Sequence, residues 1–174
     1  MSKIETEAAE LLRKANVKAP PVNTDRLAAH LGVTIALEGL DAEVSGVLYR
    51  HPQRTVIAVN QAHAGTRQRF TVAHEFGHLI LHQGRAVIVD HIVRARVNLR
   101  DSRSSLATER EEIEANQFAA SLLMPAQFVH AYVGEQVRQR LDEQGTISRL
   151  AEAFGVSPQA MEFRLINLGL KAAV

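Results

Sequence analysis

The sequence predicts an α+β fold, with a small twisted sheet on one side of a buried helix and a C-terminal helical subdomain packed beside it. Three observations predict this. Runs that read as strands flank a single helix over 69–82. That helix is apolar almost all the way round, as expected of one enclosed by protein. Beyond the strand patterns, everything from Glu109 to the C-terminus reads as helix. The expected division is a core over 1–125 and a helical subdomain over 126–174.

The elements follow in order. Ile4, Ala8, Leu11, Leu12 and Ala15 recur at helical spacing, and Pro20-Pro21 ends that helix. Thr24 reads as the N-cap of a helix over Asp25–Leu31, with Gly32 as its stop and Val33–Leu37 as the first strand. Val44–Arg50 and Arg54–Val59, parted by His51-Pro52-Gln53, read as a hairpin, and a loop over Asn60–Thr66 leads into the buried helix, which Gln83-Gly84 closes. Strict alternation over Val93–Leu99 predicts a half-buried strand with Arg94, Arg96, Asn98 and Arg100 facing out. A solvated face explains those arginines most simply; an edge strand that pairs with an extended acidic substrate is the sharper reading. Asp101–Ser105 reads as a polar loop and Glu109–Leu123 as a second strong helix, stopped by Met124-Pro125. Phe128–Leu141 follows as a weaker helix interrupted by Gly134. The tail has helix-turn-helix spacing: a helix from Thr146, a turn at Gly155, then Ser157 as N-cap and Pro158 at the first position of the last helix.

Composition narrows the function classes. A length of 174 residues suits one good core. A formal net charge of +1 leaves no broad basic field, so composition gives no argument for nucleic-acid binding. The chain has no cysteine, which excludes a disulfide framework and leaves nitrogen and oxygen as the donors for any metal. It has no hydrophobic leader and no apolar run near the ~18 residues a membrane helix needs, so a cytoplasmic protein without a membrane partner is expected.

The buried helix carries His74-Glu75-Phe76-Gly77-His78. Residues four apart lie one above the other on a helix, so His74 and His78 can offer imidazole nitrogens to one Zn²⁺. Glu75 sits roughly 100° further round, at the edge of the ion, where it can take a proton from the attacking water and pass it to the leaving amine. A catalytic zinc needs a third protein ligand. His82 continues the spacing but lies about 12 Å along the axis and about 80° round from His74, too far to share the ion. It is expected to support the site from behind. In the helix over Glu109–Leu123, projecting the apolar stripe of Ala115, Ala119, Leu122 and Leu123 back along the helix lands on Glu112. Glu114 points about 200° away. With Glu109 and Glu111 it is expected on a solvated face. Ala115, Ala119 and Gly77 would let the two helices approach closely, and Asn116, one turn after Glu112, is placed to orient a ligand. Tyr49, His63 and His82 are weak candidates for the group that steadies the oxyanion.

These stretches, Arg69-Gln-Arg-Phe-Thr-Val-Ala-His-Glu-Phe-Gly-His-Leu-Ile-Leu-His82 and Glu112-Ile-Glu-Ala-Asn-Gln-Phe-Ala-Ala-Ser-Leu-Leu-Met-Pro125, resemble the ImmA/IrrE family of zinc metallopeptidases. Val44-Ser-Gly-Val-Leu-Tyr49 and the tail Leu150–Met161 are similar to it too. The resemblance covers roughly residues 20–170. It implies a zincin-like, gluzincin-type site with His74, His78 and Glu112 as ligands, Glu75 as the catalytic glutamate, and zinc, or manganese as a substitute, as the cofactor. It further implies an endopeptidase that cleaves a partner helix-turn-helix repressor of the xenobiotic-response type and so relieves repression, without direct nucleic-acid binding. The alternative is a catalytically silent, zinc-containing module that binds a repressor or DNA. Compared with longer relatives, the chain leaves no room for a separate DNA-binding or sensor domain.

Overall fold

The computed structural model describes residues 2–82, 84, 86–91, 102–134 and 145–172. Helix α1 (Lys3–Lys14) opens with a capping box, in which Ser2 Oγ accepts from Glu5 N–H and the Glu5 carboxylate accepts from Ser2 N–H. Helix α2 (Thr24–Leu31) is capped by Asn23, whose Oδ1 accepts from Arg26 N–H at 2.8 Å. Thr24 is therefore the first helical residue rather than the cap. Two adjacent residues could serve, and the carboxamide of Asn23 reaches the helix nitrogens. Gly32 then ends α2 in the left-handed region at φ +67°, as its position suggests.

Strands β1 (Val33–Glu38), β2 (Val44–His51), β3 (Arg54–Asn60) and β4 (Val87–His91) form a four-stranded sheet in the order β1-β3-β2-β4. β1 runs parallel to β3, pairing Val33 with Thr55 and Ala36 with Ala58. The hairpin is antiparallel, with Leu48 opposite Ile57, and β4 adds to the far side of β2, with Tyr49 opposite Val87. β4 has no counterpart among the sequence expectations: Val87-Ile-Val is a continuous apolar run with no alternation to announce a strand. The strand expected over Val93–Leu99 lies outside the described residues.

Helix α3 (Gly65–Leu81) crosses the sheet and packs on β2 and β3 with one side and on α4 (Ser102–Leu123) with the other. Every residue from Thr71 to His78 is buried. Helix α4 starts at Ser102, so Ser102–Ser105 are helical and not a loop. Serine favours caps and turns over helix interiors, and here the long helix carries these residues against their own preference. The approach of α3 and α4 is close at Gly77, where an added Cβ would meet Ala115 Cα at 2.9 Å and Phe118 Cβ at 3.2 Å. Two small residues therefore set the distance between the helices.

Helix α5 (Ala126–Val133) ends at Gly134, and residues 135–144 lie outside the described residues. Helices α6 (Thr146–Phe154) and α7 (Pro158–Asn167) turn at Gly155, φ +64°, and Ser157 Oγ caps α7 by accepting from Ala160 N–H at 3.1 Å. Arg69 Nε donates to Gly155 O at 3.0 Å, while its Nη2 donates to Val22 O at 2.8 Å. Buried Arg164 donates through Nε to Met124 O at 2.9 Å and lies 3.5 Å from Glu5 Oε1. The core joins all these elements, with Phe76, Phe118, Phe154, Leu122 and Leu165 fully enclosed. Among the described residues no helix is long and apolar enough to cross a membrane.

Candidate metal centre

The helical repeat stacks His74 and His78 on the face of α3 that meets α4, and α4 presents Glu112 to the same point. His74 Nε2 and His78 Nε2 lie 3.0 Å apart, with Glu112 Oε2 and Oε1 each 3.3 Å from one of them. All three residues are buried, and together they form a group of donors that could hold a metal ion.

The spacing tests the fit. Donors bound at about 2.0–2.1 Å to a tetrahedral ion stand about 3.3 Å from one another. The observed separations match that edge to within a few tenths of an ångström. Protonation fits as well. His74 Nδ1 lies 3.0 Å from Asn116 Oδ1, so an Nδ1–H donated to that carbonyl leaves the Nε2 lone pair facing the group. Burial pulls the His78 pKa below the usual histidine range, with Glu112 opposing it, which favours the neutral ring that metal ligation needs. Two imidazoles and a carboxylate are a donor set that suits zinc and tolerates manganese.

Glu75 is wholly buried and is not one of the converging donors. Its Oε1 packs over the backbone of β2 at Gly46, where an added Cβ would meet Thr71 Cγ2 at 2.5 Å and Glu75 Oε1 at 3.0 Å. The charge of Arg50 also attracts Glu75. From β2, Arg50 Nη2 donates to His78 O at 2.6 Å and to His82 O at 2.9 Å, at the C-terminal end of α3, where His78 O also accepts from His82 N–H.

His82 caps the C-terminal end of α3, outside the donor group, and its Nδ1 is 3.1 Å from His78 Nδ1. Its Nε2 is 3.1 Å from Glu114 Oε2, so Glu114 is not merely solvated. It faces His82 because the ring leans across toward α4 from beyond the last turn, which helical projection within α4 does not reveal. Tyr49 is 37% exposed on β2 and stacks on His51, and His63 lies before α3; neither joins the donor group. Sequence reasoning also passes over Gly46 and Arg50. A glycine inside a strand pattern is itself a signal of close backbone approach, so Gly46 was open to inference. The reach of Arg50 to α3 was not.

The chain is 28% identical over 111 residues to an uncharacterized immunity region protein 2 of Bacillus phage phi105, covering 63% of each protein. Its fold is similar to that of a Mycobacterium tuberculosis transcriptional regulator, with a TM-score of 0.66 at 18% identity over 95% of this chain and 47% of that one. It thus spans less than two thirds of the length of either. Residues 28–166, the greater part of the chain and all of the donor group, match the IrrE N-terminal-like domain, and the chain belongs to the ImmA/IrrE family.

Proposed function

We propose that the chain is a zinc-dependent endopeptidase that acts in the cytoplasm on a partner helix-turn-helix repressor and thereby relieves repression. The observation that carries this reading is the juxtaposition of three buried donors at 3.0–3.3 Å with a second glutamate, Glu75, next to His74 in the chain and outside the set. The phage relative is named for an immunity region and the structural neighbour for transcriptional regulation, which supports a regulatory partner.

Zinc, when bound, polarises the peptide carbonyl and lowers the pKa of the attacking water. His74, His78 and Glu112 would hold the ion, and Asn116 fixes the His74 tautomer. Glu75 accepts the proton of the water at its carboxylate and returns it to the amine nitrogen as the C–N bond breaks. Its place against Gly46 restricts the rotamers available to it, so the base is held ready rather than recruited. Residues 126–174 serve as a helical subdomain on the core, offering a surface to the partner instead of a phosphate track.

The test is incubation of the purified chain with the repressor encoded beside it, in zinc or manganese. Cleavage should stop with a chelator and return with metal. Glu75→Gln keeps the shape and a hydrogen bond, so it should retain metal and partner while cleavage falls about 10²–10⁴-fold. If neither protein cleaves the repressor, and both relieve repression equally in cells, the chain is a binding module and not an enzyme.

A further inference from the structure

Behind His78, on the side away from Glu112, runs a line of polar contacts that ligation by three residues does not require. His78 Nδ1 meets His82 Nδ1 at 3.1 Å, His82 Nε2 meets Glu114 Oε2 at 3.1 Å, and Glu114 Oε1 accepts from Arg110 Nε at 2.9 Å. The His82 side chain is 9% exposed and that of Glu114 28%, so the line runs from the buried centre to the surface.

We propose that His82 and Glu114 are positioning residues that fix the tautomer and the ring orientation of His78, so that its Nε2 faces the metal as a lone pair. The inference rests on the metal reading of His74, His78 and Glu112. A single hydrogen can stand between His78 Nδ1 and His82 Nδ1, and either ring can own it. If His82 owned it, a neutral His82 would turn an Nε2 lone pair toward the Glu114 carboxylate, and His78 would carry its proton on Nε2, pointing at His74 and closing the site to a cation. If His78 owns it, His82 carries its proton on Nε2 and donates it to Glu114, and every contact becomes donor to acceptor. A carboxylate can only accept, and Glu114 faces a donor on each side, Arg110 Nε at its Oε1 and the His82 ring at its Oε2. The acid on α4 therefore selects the tautomer of a ligand on α3, two rings away.

His74 reaches the same state through one contact, to Asn116, and His78 through two. Each ligating ring thus has an acceptor, Asn116 for His74 and His82 for His78, and both lines of contact end on α4, at Asn116 and at Glu114. Partners of this kind are worth about 10–100-fold in metal affinity.

The experiment measures zinc affinity of the full chain by competition with a chelator, beside the unfolding midpoint of the metal-free protein and the visible spectrum of the cobalt-loaded form. Glu114→Ala and His82→Phe should weaken zinc by about 10–100-fold and alter the cobalt spectrum, with little change in the metal-free midpoint. Glu114→Gln retains an oxygen that can accept from His82 and should recover most of the affinity; Glu109→Ala, exposed on the same helix, should match wild type. If His82→Phe fails to fold, Glu114→Ala and Glu114→Gln decide alone. Zinc affinities of Glu114→Ala within twofold of wild type, or a fall that Glu114→Gln does not recover, would overturn the relay. Wild type that takes up no zinc would instead overturn the metal reading beneath it.

Discussion

At the scale of single residues, the site divides by how far each contact reaches. His74 and His78 are legible because their relation lies within one helix, where a spacing of four fixes the face. Glu112 is legible for a similar reason, since the apolar stripe of α4 says which side of that helix is inside. Glu112→Ala removes the donor that α4 brings to the proposed metal group, so bound zinc measured by metal analysis after dialysis should fall from near one per chain toward zero, while the fold persists. Glu114 and Arg50 were not legible in the same way. Each acts across elements, Glu114 on a ring beyond the end of α3 and Arg50 on the carbonyls of that end. No periodicity in the chain encodes where two separate elements meet.

At the scale of elements, hydrophobic spacing and stop residues locate α1, α2, β2, β3, α3 and the tail helices closely, with Pro20-Pro21, Gly32, Gly155 and Pro158 marking their ends. It fails where patterning is weak. β4 is short and its apolar residues, Val87-Ile-Val, are consecutive, so it shows no alternation, and the start of α4 is made of serines and an arginine that say loop. The α3–α4 pair is the element on which the site depends, because it sets the distance between the histidines and Glu112. Gly77→Ala places a methyl 2.9 Å from a backbone atom of Ala115, which cannot rotate away as a side chain would. The expected cost is about 1–3 kcal/mol in denaturant unfolding of the metal-free protein, with weaker zinc binding. A variant as stable as wild type would mean that the helices separate without penalty.

At the scale of the whole molecule, long arginines connect what the sequence presents as separate pieces. Arg164 sits buried between the end of α4 and the start of α1, donating to Met124 O and facing Glu5. Arg164→Met keeps much of the stem and deletes the charged donor, so the carbonyl loses its partner; a loss of about 1.5–3 kcal/mol in denaturant unfolding is expected. An unchanged midpoint would show that water replaces the guanidinium freely. Arg69 makes the wider connection. One guanidinium, anchored in α3 five residues before His74, holds the carbonyls of Val22 and Gly155 together, although the chain between them is most of its length. A fluctuation that loosens this part of α3 releases both carbonyls at once, and neither can come away without disturbing the other's donor. The loop before α2 and the turn between α6 and α7 are therefore coupled in their opening, and slow amide exchange should rise and fall together at the two ends of the chain.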